Sequence, residues 1–161
     1  FGWTQLKKSW YVFFFQLPWI PERGMGRDGA QAIAEIFRTT PNDPAQFPTE
    51  VREVYRRNAA QPGALTAMVN YYRALFRGKR MRPRVDPRTP IAVPTLMVWG
   101  EDDMALDKST TLTTGDYVRD LTIRYLPGVS HWVQQEQPEA VNAMISAFIC
   151  GEQVPEYRLE G

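Results

Sequence analysis

The sequence has 161 residues, of which 43% are hydrophobic and 23% are charged, so its composition is that of a folded globular protein. Nineteen Lys and Arg residues against eighteen Asp and Glu residues leave a net charge of +1, which argues against a dedicated nucleic-acid-binding protein. With one cysteine and one histidine, the chain itself can hold neither a disulfide framework nor a metal site with two histidines. Chemistry based on histidine therefore has a single candidate, His131.

An aromatic segment is the first predicted element. Its apolar run, residues 10–15, is far shorter than the roughly 18 residues that a membrane-spanning helix needs. Two lysines precede the run, as in a secretory signal, but no small-residue cleavage site follows it. We interpret the segment as folded structure and expect a cytoplasmic protein without a membrane partner.

Residues 1–88 read as mainly helical. Apolar residues recur at helical spacing in residues 29–38, from Thr49 onward, and in residues 64–76. The Gln-Pro-Gly sequence at residues 61–63 separates the last two helices and predicts a helical hairpin. A run of cations follows, and because no aromatic stacking platform is interleaved with it, we interpret it as a solvated connection and expect no nucleic-acid partner. The run consists of Arg73, Arg77, Lys79, Arg80, Arg82, Arg84 and Arg88.

The second half of the chain alternates between strand and helix patterns. Short apolar runs at residues 94–99 and 121–126 predict two buried strands, because Pro and Gly residues bound them. A helix is predicted between the strands, over about residues 107–120, and another begins at Pro138. This order predicts two parallel strands joined by a right-handed crossover. Residues 151–161 read as a loose tail.

A polar loop directly follows each predicted strand. Residues 100–103 are Gly-Glu-Asp-Asp, and residues 128–132 are Gly-Val-Ser-His-Trp. Because the carboxyl ends of parallel strands meet at one edge of a sheet, a carboxylate and His131 can lie close together there. Such a carboxylate fixes the imidazole tautomer and leaves the other ring nitrogen free to act as a base. On spacing alone, an ordinary loop histidine beside surface acids is an equally good interpretation.

The two loops resemble those that carry the catalytic acid and histidine in the α/β-hydrolase fold. The resemblance covers residues 96–103 and 128–132. In that family the last acid of a Gly-x-x-Asp pattern supports the catalytic histidine. The resemblance therefore implies that Asp103 is the supporting acid and that His131 is the catalytic histidine.

The N-terminal half narrows this resemblance to the epoxide hydrolases. Residues 9–19 resemble the first helical segment of their cap domain, and residues 70–73, Asn-Tyr-Tyr-Arg, resemble a second cap motif. The resemblance implies that Tyr11 and Tyr72 donate hydrogen bonds to the epoxide oxygen, although position alone would favour core packing for both. Tyr71 points about 100° away on the helix and is not assigned this role. Candidate walls of the substrate pocket, with core packing as the alternative, are Trp10, Phe14, Trp19 and Trp132.

The implied function is the conversion of an epoxide to a vicinal diol through an alkyl-enzyme ester. Two tyrosine hydroxyls would stabilise the departing oxygen, and a histidine supported by an aspartate would activate water. The reactants would be a small-molecule epoxide and water, and no metal or cofactor is implied.

Two elements of the family are not found in the sequence. No Gly-x-Ser-x-Gly turn or comparable aspartate turn supplies a nucleophile, which therefore stays unknown, and no second histidine exists for the family's His-Gly-x-Pro loop. We expect an incomplete α/β-hydrolase fold: a helical cap at residues 1–88, the last parallel strands and helices of the core at residues 89–150, and a tail at residues 151–161. Since two parallel strands leave unpaired edges, we expect the chain to need the missing N-terminal half of the hydrolase domain, with a homodimer as one form of assembly.

Two other functions stay open at this point. A haloalkane or haloacid dehalogenase has the same fold and the same Asp–His chemistry, but it stabilises a halide, typically with Trp or His donors, and needs paired tyrosines less. A non-catalytic protein that binds small molecules would keep the cap pocket without performing any chemistry.

Overall fold

The computed structural model of the chain describes residues 2–77 and 88–159, which belong to two units. As far as these ranges are described, the first unit combines Phe1–Gln5, Pro41–Asp43 and Arg84–Gly161, and the second combines Leu6–Thr40 and Pro44–Pro83. Most of the predicted basic connection lies outside the described residues. The predicted domain boundaries at residues 88 and 150 stay predictions.

The second unit is built from helices. They are α1 (Trp3–Lys8, which begins in the first unit), α2 (Trp10–Phe14), α3 (Ile20–Met25), α4 (Arg27–Thr39), α5 (Thr49–Ala59) and α6 (Ala64–Arg77), with a 3₁₀ turn at Pro44–Gln46. The three helices predicted from apolar spacing are confirmed as α4, α5 and α6. Their apolar faces meet in a core around Ala30, Ile33 and Ala59, against which the stacked rings of Phe37 and Tyr55 pack. None of the described helices is long and apolar enough to cross a bilayer.

A parallel pair of strands organises the first unit. Strands β1 (Thr95–Gly100) and β2 (Leu121–Leu126) run in register, with Thr95 opposite Leu121 and Gly100 opposite Leu126. Helix α7 (Val133–Glu136) and helix α8 (Pro138–Cys150) follow β2. The core joins the end of β2 to one face of α8, through Leu126, Val129, Val141 and Met144. The two predicted strands, their parallel pairing and the helix from Pro138 are confirmed.

The prediction of a helix between the two strands is wrong. The connection contains two 3₁₀ turns, Lys108–Thr111 and Thr114–Asp116. Its polar side chains offer the backbone other partners, because the hydroxyls of Thr110 and Thr111 donate to the carbonyl oxygens three residues earlier, at 2.7 and 2.8 Å. The chain then returns to extended structure early, since Val118 forms a parallel bridge with Ile91.

The described part of the C-terminal segment, residues 151–159, is not loose, although these residues form no helix or strand. Val154 is buried in the core of the first unit, and Tyr157 packs against that core. The guanidinium of Arg124, on β2, donates to the carbonyl oxygens of Val154 and Pro155 at 2.7 and 3.0 Å. The prediction failed because these anchors, one buried valine and backbone carbonyls, give no pattern in the sequence.

Candidate active site

The loops after β1 and β2 bring Asp103 and His131 together. Oδ2 of Asp103 lies 2.8 Å from Nδ1 of His131, so the two side chains are hydrogen-bonded. Asp103 is buried, whereas 38% of the His131 side chain is exposed. The structure thus gives the arrangement in which a carboxylate supports one imidazole nitrogen. Among the described residues, no hydrogen-bond partner is found for the other nitrogen, Nε2.

The backbone of its own loop fixes the Asp103 carboxylate. Oδ1 accepts the N–H groups of Ala105 and Leu106 at 2.7 and 2.9 Å, which leaves Oδ2 for the imidazole. Burial alone would raise the pKa of Asp103, but the hydrogen bonds from His131 and from the two N–H groups together lower it. The hydrogen bond with Asp103 raises the pKa of His131, with burial acting in the opposite direction. An ionised Asp103 therefore holds a proton on Nδ1, which leaves Nε2 as the basic nitrogen of the ring.

Close backbone contact holds the two loops against each other. A Cβ on Gly100 would lie 2.0 Å from the carbonyl oxygen of Ser130, so only glycine fits at the end of β1. One residue further on, the N–H of Glu101 donates to the Leu126 carbonyl at 3.0 Å. The N–H of Asp102 does the same to the carbonyl of Val129, also at 3.0 Å. These contacts hold the backbone that precedes Asp103 directly beside the backbone that precedes His131.

Two buried polar residues that the sequence analysis missed hold these loops. The Gln5 side chain donates to the Ala105 carbonyl at 3.1 Å and accepts the N–H of Asp107 at 2.6 Å. It thereby stabilises the chain that follows β1 and carries Asp103, which we call the acid loop. The Glu136 carboxylate accepts the N–H of Ser130 at 2.7 Å and that of Asp43 at 3.0 Å. It thereby stabilises the loop of residues 128–132 that carries His131, which we call the histidine loop. Both side chains bind backbone groups, and such contacts leave no pattern of residue types in the sequence.

The acids of the first loop are engaged in protein contacts. Asp102 accepts a hydrogen bond from the Asn42 amide at 2.9 Å, and Glu101 is paired with Lys108. Among residues 2–77 and 88–159, no group of three or more His, Cys, Asp or Glu side chains could hold a metal ion.

Tyr11 and Tyr72 meet in the second unit. Their rings are in edge-to-face contact with centroids 5.7 Å apart, and Phe15 lies against both rings. Burial, followed by the neighbouring Tyr71, raises the pKa of Tyr72, which keeps its hydroxyl protonated and able to donate. Tyr71 points elsewhere, since it is 75% exposed whereas Tyr72 is half-buried.

Arg73 holds the aromatic segment against α6. Its buried guanidinium donates to the carbonyl oxygens of Phe15 and Leu17 at 3.0 and 2.7 Å and forms a two-point contact with Glu22 at 2.5 and 3.2 Å. The prediction that Arg73 belongs to a solvated basic run is wrong, because the residue is only 7% exposed. The backbone carbonyls that turn the chain after α2 give the cation a partly buried site that composition does not reveal.

The predicted pocket-wall residues lie in both units. Trp132 is half-buried in the first unit, where its ring meets that of His131 edge-to-face at 5.1 Å. Trp10 and Trp19, in the second unit, are 65% and 71% exposed, so core packing does not explain them. Phe14 is half-buried beside Trp10. Their role as pocket walls stays a prediction.

Comparison with known proteins adds independent support for the resemblance. No family model matches the chain. Epoxide hydrolase 2 of Caenorhabditis elegans is 33% identical to it over 149 residues, which are 90% of this chain and 41% of that protein. Epoxide hydrolase 4 of Homo sapiens is 33% identical over 151 residues, or 91% of this chain and 40% of that protein. The resemblance to the epoxide hydrolases is confirmed.

Solved structures of epoxide hydrolases have the same fold as the part that this chain spans. An inhibitor complex of the Bacillus megaterium epoxide hydrolase matches with a TM-score of 0.76 at 21% identity, over 92% of this chain and 54% of that one. An epoxide hydrolase of the α/β-hydrolase superfamily from hot-environment metagenomes matches with a TM-score of 0.64 at 24% identity, over 94% of this chain and 53% of that one. The predicted α/β-hydrolase fold is therefore confirmed, and the chain spans about 40% of the length of the curated epoxide hydrolases that it matches.

Proposed function

We propose that this chain provides the cap and the C-terminal part of the core of an epoxide hydrolase, which converts an epoxide to a vicinal diol through an alkyl-enzyme ester. The observation that carries the proposal is the 2.8 Å hydrogen bond between Asp103 and His131, the single histidine of the chain. It lies at the carboxyl ends of two parallel strands, where this class of fold binds its ligands.

His131 is the base of the hydrolytic step. Neutral Nε2 removes a proton from water, and the resulting hydroxide attacks the ester carbonyl, which releases the diol and restores the nucleophile. Asp103 keeps the proton of the imidazole on Nδ1 and stabilises the imidazolium that forms. The raised pKa of His131 strengthens it as a base.

Tyr11 and Tyr72 are the donors for the ring-opening step. As the nucleophile bonds to an epoxide carbon, the C–O bond to that carbon breaks and negative charge develops on the oxygen. Two hydroxyls stabilise that charge as hydrogen-bond donors, and one of them transfers its proton to the oxygen. The tyrosinate that remains regains a proton through solvent after ester hydrolysis, as the His131 imidazolium loses the proton that it took from water. Trp10, Phe14, Trp19 and Trp132 supply apolar contacts for the rest of the substrate.

The nucleophile is assigned to no residue of this chain. We place it, as an aspartate, in the part of the hydrolase domain that the relatives carry and these 161 residues do not span. The chemistry uses a carboxylate, two phenols, an imidazole and water, and it requires no metal or cofactor.

Product analysis separates this proposal from the dehalogenase alternative. The protein comprising this chain and the rest of its hydrolase domain is incubated in parallel with styrene oxide and with 1-chlorobutane. We expect styrene glycol from the first substrate and no chloride release from the second. Chloride release without diol formation would replace the proposal by a dehalogenase, and binding of an epoxide-mimicking urea without turnover would replace it by a binding protein.

A further inference from the structure

We propose that Glu136 is a positioning residue that sets the histidine loop, and through it the hydrogen bond between His131 and Asp103. Only the catalytic meaning of that bond rests on the proposed function. Glu136 ends α7 and is 4% exposed, and each of its carboxylate oxygens accepts one backbone N–H group. Oε2 accepts from Ser130 at 2.7 Å, and Oε1 accepts from Asp43 at 3.0 Å.

Glu136 contacts the backbone on both sides of His131. Its carboxylate holds the N–H of Ser130, the residue before the histidine. Its own N–H donates to the carbonyl of Trp132, the residue after the histidine, at 2.9 Å. Ser130 is fully buried, so this end of the loop has no room to move independently. The backbone that presents the imidazole is therefore fixed at both neighbouring positions by one side chain and its helix.

The second oxygen links the histidine loop to the acid loop. Oε1 of Glu136 accepts the N–H of Asp43, which belongs to the segment Pro41–Asp43 of the same unit. The neighbouring Asn42 donates to Asp102 at 2.9 Å and to the carbonyl of Gly128 at 3.1 Å. Glu136 thus connects the start of the histidine loop with a segment that also touches the residue before Asp103.

The site requires a carboxylate. Both of its partners are N–H donors, and only an ionised carboxylate has two oxygens that accept without donating. A glutamine would turn its NH2 group toward one of the two N–H groups, so that one buried donor would lose its partner. Among the described residues, the charged group bonded to the imidazole is Asp103, whereas the carboxylate of Glu136 is bonded to the backbone N–H groups of Ser130 and Asp43. Because Asp103 makes the direct contact, a change at residue 136 reaches the ring mainly by moving it.

The test is the pKa of His131, measured by NMR in the protein that contains this chain. The ring signals of the histidine are recorded as a function of pH. The signals are assigned by their loss in His131→Gln. We expect Glu136→Gln to lower the pKa of His131 toward its ordinary value of about 6.5. Glu136→Asp, which keeps the charge on a shorter side chain, should give an intermediate pKa and serves alone if the glutamine variant does not fold. Glu139→Gln removes a charge from the exposed first turn of α8 and should leave the pKa unchanged.

A second background shows whether the effect passes through the His131–Asp103 bond. In Asp103→Asn, Glu136→Gln should cause no further change in the pKa of His131. The proposal is overturned if Glu136→Gln or Glu136→Asp leaves the pKa of His131 at the wild-type value, or if the full change persists in the Asp103→Asn background. The readout needs no turnover, so a negative result in the diol assay leaves this test intact, and a failure here leaves the diol assay intact.

Discussion

The two oxygens of the Asp103 carboxylate have separate partners. Oδ1 accepts two N–H groups of its own loop, while Oδ2 faces Nδ1 of His131. An asparagine would keep its carbonyl oxygen on the two N–H groups and would present its NH2 group to the imidazole. Nδ1 would then have to accept a hydrogen bond, and the proton would move to Nε2, which is the wrong tautomer for a base.

We therefore expect Asp103→Asn to slow hydrolysis of the alkyl-enzyme ester by roughly 10⁴-fold, the effect that this tautomer change has in comparable triads. Single-turnover kinetics with styrene oxide measures the step. Asp120→Asn, at an exposed position before β2, is the matched control and should leave the rate unchanged. Equal rates for the Asp103 and Asp120 variants would contradict the assigned role.

The pH dependence of the same step follows from the pKa of His131. Since the base must be neutral, the rate should fall as the pH drops through the raised pKa of His131. Removing the carboxylate removes the cause of the raised pKa, so in Asp103→Asn the remaining rate should show its inflection at a lower pH. An inflection that stays in place, or moves to higher pH, would contradict this. The raised pKa also gives His131 a stabilising contribution that is present below its unfolded-state pKa and is lost as the pH rises through the folded-state pKa. The contribution of Asp103, whose pKa is lowered, is lost instead as the pH falls through the folded-state pKa of that carboxyl.

Adjacent tyrosines on α6 allow a controlled test of the ring-opening role. Tyr72 touches Tyr11 and is half-buried, whereas Tyr71 is exposed. We expect Tyr72→Phe to slow alkylation of the enzyme by about 10²-fold, the loss typical for one donor to a developing oxyanion, and to change ester hydrolysis far less. Tyr71→Phe should affect neither step. Equal slowing of both steps in Tyr72→Phe would instead indicate a structural role.

At the level of elements, the second unit depends on how the chain between α2 and α3 is held on α6. No strand connects these helices in the described part of that unit, and the turn exposes carbonyl groups that need donors. Arg73 supplies them, with Glu22 balancing its charge. The ring contact between Tyr11 and Tyr72 therefore depends on a partly buried ion pair.

Arg73→Leu should lower the free energy of unfolding by about 3–5 kcal/mol, because it leaves the Glu22 carboxylate partly buried without its partner. Urea denaturation measures the change, and Arg57→Leu, on the exposed face of α5, should cost less than about 0.5 kcal/mol. The hydrogen bond with Arg73 lowers the pKa of Glu22, so the pair's contribution is present above the unfolded-state pKa of the glutamate and is lost as the pH falls through the folded-state value. A cost below about 1 kcal/mol for Arg73→Leu would contradict this account.

Local patterns in the sequence were enough to locate most elements. The strands were predictable because each apolar run ends at a Pro or Gly, and α4 to α6 because their apolar residues repeat with the helical period. The Thr-rich connection failed because hydroxyl-to-carbonyl bonds compete with helix formation. Gln5 was beyond prediction, since the carbonyl that it holds lies 100 residues away in the chain.

At the level of the whole molecule, the described sheet has only two strands, although the strands are as apolar as those of a wider, buried sheet. In each strand the first five of the six residues are only partly buried. Among the described residues, each strand pairs with one neighbouring strand. Parallel strands are normally covered on both faces and paired on both sides. The strands therefore present backbone and apolar groups that a fuller sheet would cover.

We accordingly expect the 161 residues, expressed without further hydrolase sequence, to associate through these groups. Size-exclusion chromatography with light scattering should show oligomers or aggregates. Joining the chain to the rest of its hydrolase domain should give a monodisperse species whose β1 and β2 amides exchange more slowly with deuterium. A monodisperse monomer of 18.5 kDa from the isolated chain would contradict this expectation.

The central claim is that His131 activates the water that hydrolyses an alkyl-enzyme ester. Its most direct test is the intact mass of His131→Gln, in the protein containing the rest of the hydrolase domain, after incubation with styrene oxide. The account predicts that the variant accumulates a covalent adduct of one styrene oxide molecule, while the wild-type protein forms diol and carries no adduct. Diol formation at the wild-type rate by His131→Gln, without any adduct, would contradict it.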